Sequence, residues 1–370
     1  MRICIDATPL LLQSAGVKTY FHHWLENLRA LESGDDILAF PWLDAAGELD
    51  HQGSQLGRLA TMWRVAFVLG VNYGLLPGAL KAALPRADVF HVSNQSRRPP
   101  DHIPLTATVH DVTCWLMPEL HTRGNIRADH EFAERVLGKA RGIIAVSDNT
   151  RRDAARLLGI PIERITTIYP GVASVYFDAR PGAVPREMGL EKPYVLFVGT
   201  IEPRKNLDVL LDAWGQLPAD IRDEFTLAVA GPRGWNSADV MKRLMDDRTH
   251  GVYLGYVPER KLPPLVAGAS VLAYPSLYEG FGFPVAQAMA AGVPVVTSDV
   301  SSLPEVAGDG AAFVDPRSPA EVRSAIERFL TNEELRKETG ARGKAIAEAR
   351  YRWRDSARKS LEFFHKVISS

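Results

Sequence analysis

The sequence has little of what would place it among secreted, membrane-spanning or nucleic-acid-binding proteins. Only two of its 370 residues are cysteine, Cys4 and Cys114, so we expect buried thiols in a reducing compartment rather than a disulfide framework. The formal net charge of -1 gives no general basic footprint for nucleic acid. The most apolar stretch, residues 59–84, is interrupted by Arg64 and Lys81 and falls short of a membrane span. The first residues run directly into an apolar strand without a signal-peptide pattern, which predicts a cytoplasmic protein.

Several nucleotide and metal motifs are also missing from the sequence. No Gly-x-Gly-x-x-Gly follows a strand, and the glycines within 340–344 have the wrong spacing for a P-loop, which argues against dinucleotide oxidoreductases and P-loop kinases. No Asp-x-Asp triplet occurs, and the histidines and cysteines show no zinc-ligand spacing. We therefore expect no dinucleotide cofactor, no P-loop nucleotide and no zinc site.

What the sequence does contain is a succession of short apolar runs separated by helical stretches. Continuous rather than alternating apolar runs are typical of parallel sheets covered on both faces, and a chain of this length is too long for one ordinary core. The pattern predicts two doubly wound α/β domains, 1–175 and 190–352, with a linker within 173–192. The predicted strands are 2–6, 37–42, 88–93, 105–110, 142–147, 165–169, 194–199, 225–230, 252–256, 271–275, 293–297 and 311–314.

The segment 199–206 reads Gly-Thr-Ile-Glu-Pro-Arg-Lys-Asn and follows a predicted strand. A lone Arg-Lys pair is most often a pair of solvated surface cations. Here Arg204 and Lys205 come straight after a strand-end Gly-Thr and before an Asn-opened helix, which favours an anion site. Arginine presents a planar fork to phosphate oxygens and lysine a point charge.

The segment 274–289 repeats the pattern of a strand, a turn and a helix, and carries the carboxylate of Glu279. Gly280 and Gly282 lower helix stability and bring the backbone close to a neighbour, which favours a ligand site over a mere helix-end charge. Pro284 suits the first helical position, where free backbone N–H groups attract anions or hydroxyls. The two segments predict a cleft for a phosphorylated, polyhydroxylated molecule.

Together the segments resemble the nucleotide-sugar site of family 4 of the retaining GT-B glycosyltransferases. That family shows a Gly-Thr-x-x-x-Arg-Lys-Asn loop and a Glu-Gly-Phe-Gly-x-Pro-x-x-Glu turn at this spacing, and the resemblance extends over nearly the whole chain. It implies two facing Rossmann-like domains with the active site in the interdomain cleft. The first domain would bind the acceptor, with helix 353–370 packing back on it, and the second the nucleotide sugar. The second glutamate of the family is Gln287 here.

The resemblance also implies roles for individual residues. Arg204 and Lys205 would hold the donor diphosphate and stabilise it as it leaves, while Glu279 would receive hydroxyls of the donor sugar. His110, at the end of a first-domain strand, would line the transferred sugar, although a histidine at a strand end is often only structural. The implied donor-binding residues are Gly16, Val17, Thr200, Val257, Gly280, Phe281, Gly282, Phe283 and Gln287.

Among these positions, the first-domain loop is the least typical, because Ala15-Gly16 stands where the family has two glycines. A small-residue turn of this kind is often a simple strand–helix connection. Lys18 and His130 are weaker candidates for acceptor contacts.

The implied reaction moves a hexose from the nucleotide to an acceptor hydroxyl with retention at the anomeric carbon and without a metal ion. Phe281, Phe283 and the Glu202-Pro203 context resemble bacterial mannosyltransferases most, so GDP-mannose is the expected donor. The acceptor would be a glycan or lipid-linked glycan. Residues 59–84 could rest on the inner face of a membrane, although a buried helix pair explains that stretch equally well. The oligomeric state cannot be inferred.

Two other functions remain open at this point. A sugar-nucleotide 2-epimerase on the same fold would need no acceptor and would use first-domain carboxylates for proton transfer. A degenerate sugar-binding subunit is suggested by Gln287. Assays that separate transfer, epimerisation and binding distinguish the three.

Overall fold

The structure is a computed structural model that describes residues 1–13, 16–43, 47–76, 78–84, 86–246 and 251–369. The chain divides into two compact units. One comprises residues 1–171 together with 353–370, and the other comprises residues 172–352. Each unit has its own parallel sheet and its own core.

The first unit is built on a six-stranded parallel sheet with the order β2-β1-β3-β4-β5-β6. Its strands are β1 Arg2–Asp6, β2 Asp36–Phe40, β3 Val89–Val92, β4 Leu105–Val109, β5 Gly142–Ala145 and β6 Ile165–Thr167. The second helix of this unit and the turn after it leave several large apolar side chains exposed. Its α-helices are α1 Gly16–Arg29, α2 Arg58–Asn72, α3 Ala79–Ala83, α4 Thr113–Leu116, α5 Arg123–Phe132 and α6 Asp148–Leu158, with Trp353–Ser369 as the last helix of the chain.

The last helix belongs to the first unit because its aromatic side chains complete that core. It packs along α1, where Trp24 Nε1 donates a hydrogen bond of 2.9 Å to Ser360 Oγ. Trp24 is fully buried, and its ring lies against those of Tyr20 and Phe364. Large aromatic side chains bury a large apolar area each and dominate the energetics of a core, so this cluster holds the helix in place.

The second unit has a six-stranded parallel sheet with the order β12-β11-β10-β7-β8-β9. Its strands are β7 Tyr194–Val198, β8 Thr226–Ala230, β9 Gly251–Gly255, β10 Val271–Tyr274, β11 Val295–Ser298 and β12 Ala311–Val314. Its helices are α7 Ser174–Phe177, α8 Val184–Glu187, α9 Leu207–Gly215, α10 Ala219–Glu224, α11 Ala238–Leu244, α12 Leu262–Ala267, α13 Phe283–Ala290, α14 Leu303–Ala307, α15 Pro319–Thr331 and α16 Glu333–Arg350.

The predicted class, α/β with two doubly wound parallel sheets, is confirmed. Six of the twelve strands given above are buried along their whole length, which is why their sequences are largely continuous apolar runs. The predicted linker within 173–192 instead contains α7 and α8, and α7 packs against α12 and α13 of the second unit. The second predicted strand ends early, at Phe40, because the following residue is Pro41, which lacks a backbone donor. Over the residues that the structure describes, no helix combines the length and apolar character needed to cross a membrane.

Candidate active site

The order of the second sheet brings the two signature segments together. β7 and β10 are neighbours, with Val195 paired to Val271 and Leu196 to Leu272, although many residues separate them in the chain. Strand order reverses between β7 and β10, and ligands of open parallel sheets bind beyond the strand ends at such a point. The loop after β7 carries Arg204 and Lys205, and the loop after β10 carries Glu279.

The central feature of this region is a group of ion pairs around the carboxylate of Glu279. Lys205 Nζ lies 2.6 Å from Glu279 Oε1, and Arg204 Nη1 lies 3.0 Å from Oε2. Arg204 Nη2 also pairs with Glu202 Oε1 at 2.8 Å. Both cationic side chains are 12% exposed, so they keep an open side to solvent while the carboxylates fix their positions.

Two further side chains complete the shell around Oε1 of Glu279. The hydroxyl of Tyr274 donates to this oxygen at 2.8 Å and accepts from Lys205 Nζ at 2.7 Å. Ser276 Oγ donates to the same oxygen at 2.7 Å. Burial by itself raises the pKa of Glu279, but the charges of Arg204 and Lys205 and these hydrogen bonds outweigh it and lower that pKa to about 2. Glu279 is therefore an anion, and a weak base, at neutral pH.

Burial and neighbouring charge also shift the other titratable groups of this site. Burial, followed by the adjacent Arg204 charge, lowers the pKa of Lys205, whereas Glu279 and Glu202 oppose that shift. The pKa of the Tyr274 hydroxyl is raised by burial and then by the negative charge of Glu279. Tyr274 therefore stays protonated and can act only as a hydrogen-bonding bridge, not as a base.

The backbone of the two loops explains the glycine and asparagine positions of the motifs. Gly282 has φ 95 and directly precedes α13, and a Cβ there would also lie 2.8 Å from Leu303 Cδ2. Asn206 adopts a left-handed conformation with φ 60 at the start of α9. Its side-chain amide donates to the carbonyls of Pro275 and Pro316 at 2.9 and 2.6 Å. Asn206 thus ties the first loop to the loop after β10.

The other predicted donor-binding residues of the second unit lie on the same edge of its sheet. Thr200 is half-buried beside the first loop, and Val257 is buried just after β9. Gln287 lies on α13, is 8% exposed, and its amide forms no hydrogen bond within the described ranges. That amide is therefore available to a ligand. Gly280, Phe281, Gly282 and Phe283 form the turn into α13.

The first unit holds the remaining predicted residues. Gly16 and Val17 begin α1. Ser14 and Ala15, which belong to the same predicted loop, lie outside the described residues. His110 follows β4 and packs its ring edge-on to Tyr20, with ring centroids 4.9 Å apart. Removal from water lowers the pKa of His110 to about 4, although Asp111 opposes that shift. His110 is therefore neutral at physiological pH.

The two weaker acceptor candidates have other contacts in this unit. Lys18 is fully buried, and its amine donates to the backbone carbonyls of Leu12, at 2.9 Å, and Gly53. This arrangement anchors the start of α1. His130 is exposed and stacks on Trp115, with the two rings nearly parallel and 4.6 Å apart.

Sequence reasoning did not identify Glu202, Tyr274 and Ser276 as parts of the site. Tyr274 ends a buried strand, so its sequence position indicates packing rather than a polar role. Glu202 and Ser276 lie inside the two signature segments, and their position beside the Arg-Lys pair and Glu279 was the available signal. Among the described residues, His22, His23 and Glu26 on α1 form a separate group that could hold a metal ion.

Two units with open parallel sheets, one carrying paired cations against a carboxylate at its switch point, have the architecture of the GT-B glycosyltransferases. Residues 15–174 match the family described as "Glycosyltransferase Family 4", and residues 185–346 match "Glycosyl transferases group 1". The O-antigen chain mannosyltransferase B of Escherichia coli is 30% identical, over 98% of this chain and 99% of its own length. This chain belongs to glycosyltransferase family 4.

The structural comparisons agree on the fold. Sucrose-phosphate synthase from Thermosynechococcus elongatus has a TM-score of 0.75 at 19% identity, covering 100% of this chain and 99% of its own. Anabaena HepE in complex with UDP has a TM-score of 0.71 at 19% identity, covering 99% of this chain and 100% of its own. At this level of identity the likeness establishes the fold alone.

Proposed function

We propose that this chain is a retaining mannosyltransferase that uses GDP-mannose and extends a glycan or lipid-linked glycan. The observation that carries the proposal is the pairing of Arg204 and Lys205 with Glu279 at the switch point of the second sheet. The choice of mannose rests on the similarity to the O-antigen chain mannosyltransferase B over almost the full length of both chains.

In the proposed reaction the second unit binds the diphosphate of the donor through Arg204 and Lys205. The bond between the anomeric carbon and the phosphate oxygen breaks, and the acceptor oxygen bonds to that carbon on the same face. The acceptor proton passes to the departing phosphate. Fixed cations at the leaving group stabilise the charge that develops there, and their orientation is set before the donor binds.

The environment of Glu279 supports a positioning role rather than a nucleophilic one. Three donors surround Oε1, and a carboxylate whose pKa is about 2 has little affinity for a proton at neutral pH. A base that removed the acceptor proton would need a pKa closer to the working pH. Glu279 is better suited to hold Lys205 and to accept hydroxyl groups of the donor sugar.

Diphosphate binding by side-chain cations leaves no step that requires a metal ion, so the reaction is proposed to be metal-independent. Thr200, Val257, Gln287 and the turn into α13 would complete the donor site, and the roles of Gly16, Val17 and His110 toward the donor stay predictions.

We also propose that α2 touches a membrane surface, because Leu59, at 81% exposed, and Met62, at 66%, lie beside the cationic Arg58.

The test is a transfer assay with GDP-mannose and a panel of competing nucleotide sugars, using a mannose-terminated acceptor. Product analysis by NMR reports the anomeric configuration, and an α-linkage from the α-configured donor establishes retention. Formation of an epimerised sugar nucleotide without acceptor would support the 2-epimerase alternative instead. Donor binding without turnover would support the degenerate subunit.

A further inference from the structure

The first unit contains a strongly basic cleft that the proposed reaction does not use. Its volume is about 810 Å³, and it lies at the amino-terminal edge of the sheet, where β4 begins at Leu105 and Arg141 precedes β5. His110 follows the opposite end of β4, about 17 Å away for a five-residue strand. The cations that line this basic cleft are Arg97, Arg98, Arg135, Lys139 and Arg141.

The positive charge of the basic cleft is largely uncompensated. The chain as a whole has a net charge of -1, yet the lining contains these cations and a single carboxylate, Asp101, which lies 3.8 Å from His102. Arg97 is 3.7 Å from Glu131, an interaction shared with Arg127. Within the described part of the chain, the other four cations form no ion pair.

The helical turn Ala133–Leu137, which follows α5, ends beside the cleft, and the backbone carbonyls at its end are already bonded. Arg164 donates to the backbone carbonyls of Leu137, Gly138 and Ala140, which would otherwise present the negative end of the helix dipole. Arg135 and Lys139 are exposed to solvent and form no direct ion pair in the described part of the chain, although the charge of Arg135 also acts on the carboxylate of Glu131.

The wall of the basic cleft is a fixed loop. Asn72, the last residue of α2, donates to the carbonyl of Gln95 at 3.0 Å and accepts from the amide of Arg97 at 2.8 Å. Prolines at positions 99, 100 and 104 further restrict the backbone of this loop. A site whose cations are held on such a loop loses less conformational freedom when an anion binds.

The same loop joins the basic cleft to an exposed apolar surface. A Cβ at Gly74 would lie 2.8 Å from Arg98 Nη1, so the guanidinium rests directly on this turn. The flanking residues Tyr73 and Leu75 are 66% and 74% exposed. Cations beside exposed apolar side chains match the chemistry of a phosphate group attached to a lipid.

We propose that the basic cleft binds phosphate groups, and that their source is a lipid headgroup rather than soluble phosphate. Four of the five cations are arginines, whose planar forks bind phosphate oxygens in pairs. None of the residues that line the basic cleft is proposed to bind the donor or to take part in the transfer. If the basic cleft does not bind phosphate, the proposed mannosyl transfer is unaffected.

The first experiment measures sedimentation of the full chain with vesicles of phosphatidylcholine, with and without 30% phosphatidylglycerol. We expect binding only to the anionic vesicles, and weaker binding as salt is raised. The variant Arg135→Glu/Lys139→Glu should bind on the order of twentyfold more weakly, since each cation near an anionic bilayer contributes about a factor of five. The matched control is Lys242→Glu/Lys359→Glu, which changes the net charge equally at two exposed helix positions outside the cleft.

The second experiment titrates soluble pyrophosphate by calorimetry. If Arg135→Glu/Lys139→Glu loses one binding event that the control keeps, the cleft binds phosphate. If, in addition, the vesicles do not bind in the first experiment, the source of that phosphate is soluble rather than a lipid. Lys205→Ala should remove only the donor-site event and leave vesicle binding unchanged. The proposal is wrong if neither probe binds, or if the cleft variant and the control behave alike in both experiments.

Discussion

Tyr274 and Glu279 are joined by a hydrogen bond of 2.8 Å from the phenolic hydroxyl to Oε1 of the carboxylate. The same hydroxyl accepts from Lys205 Nζ at 2.7 Å, so one buried phenol fixes both members of an ion pair. Because its pKa is raised, the hydroxyl keeps its proton and can serve both contacts at once. Tyr274 is therefore a positioning residue for the two groups that the proposed reaction uses.

The first prediction concerns Tyr274→Phe, which removes the bridge and keeps the ring. We expect kcat to fall about tenfold, since a hydrogen bond to a charged group contributes about 1.5–3 kcal/mol, while the donor KM changes little. Steady-state kinetics test this. The control is Tyr194→Phe, whose hydroxyl donates to the carbonyl of Leu265 in the same unit but outside the site. Equal kcat losses in both variants would assign Tyr274 a purely structural role.

The second prediction concerns Lys205→Ala. Loss of one preorganised charge at the leaving group typically costs about 3 kcal/mol, so kcat should fall on the order of a hundredfold. The matched control is Lys261→Ala, which breaks a Lys–Glu pair of 3.1 Å with Glu187 at the surface of the same unit. Surface pairs contribute little, so the control should retain full activity. A folded Lys205→Ala protein with an unchanged rate would exclude a role in stabilising the leaving diphosphate.

The sequence was sufficient for the strands and for the general position of the site, for a definable reason. Strands buried on both faces need continuous apolar runs, and loops after parallel strands share one edge of the sheet. The contacts between Arg204, Lys205 and Glu279 could not be predicted, because they depend on β7 lying beside β10. Strand order follows from packing across the whole unit, and Tyr274 gained its polar role only through that order.

The third prediction concerns chelation. If Arg204 and Lys205 alone hold the diphosphate, turnover should survive excess EDTA without measurable loss. The assay should include Mg²⁺ or Mn²⁺ re-addition, and it should be repeated with His23→Ala, which removes one member of the candidate metal group on α1. Complete loss on chelation, restored by either ion, would contradict the metal-independent mechanism.

The fourth prediction concerns the stability of the first unit at low pH. Burial lowers the pKa of His91 to about 3, with a further contribution from His110, and lowers the pKa of His110 to about 4. Both values lie below that of an unfolded histidine, near 6.5, so the unfolded chain takes up protons first as the pH falls. The stability that each neutral histidine contributes is fully present above about pH 6.5. It is lost as the pH falls from there to about 4, by about 1.4 kcal/mol per pH unit for each histidine.

Urea midpoints between pH 7 and pH 4.5 measure this loss. His91 is held between the hydroxyls of Thr106 and Thr108, each at 3.0 Å, so His91→Gln is expected to lower stability at neutral pH while reducing its dependence on pH. His102→Gln, at an exposed position, serves as the matched histidine control. A His91→Gln protein with the pH dependence of the wild type would show that other groups dominate.

The last prediction concerns Gln287, where the chain departs from its family. A glutamate would accept two hydrogen bonds from the vicinal ribose hydroxyls of the donor, whereas glutamine accepts one and donates one. Gln287 is 8% exposed, and its side-chain amide forms no hydrogen bond within the described residues, so it can bind a ligand in this way. The loss of charge assistance costs about 1 kcal/mol, partly offset because one negative charge near the diphosphate is removed.

We expect Gln287→Ala to raise the donor KM and Gln287→Glu to change it less than about tenfold. Unaltered donor binding in Gln287→Ala would exclude the ribose contact. If the wild-type chain is inactive with every nucleotide sugar and Gln287→Glu restores activity, the wild type is a degenerate sugar-binding subunit.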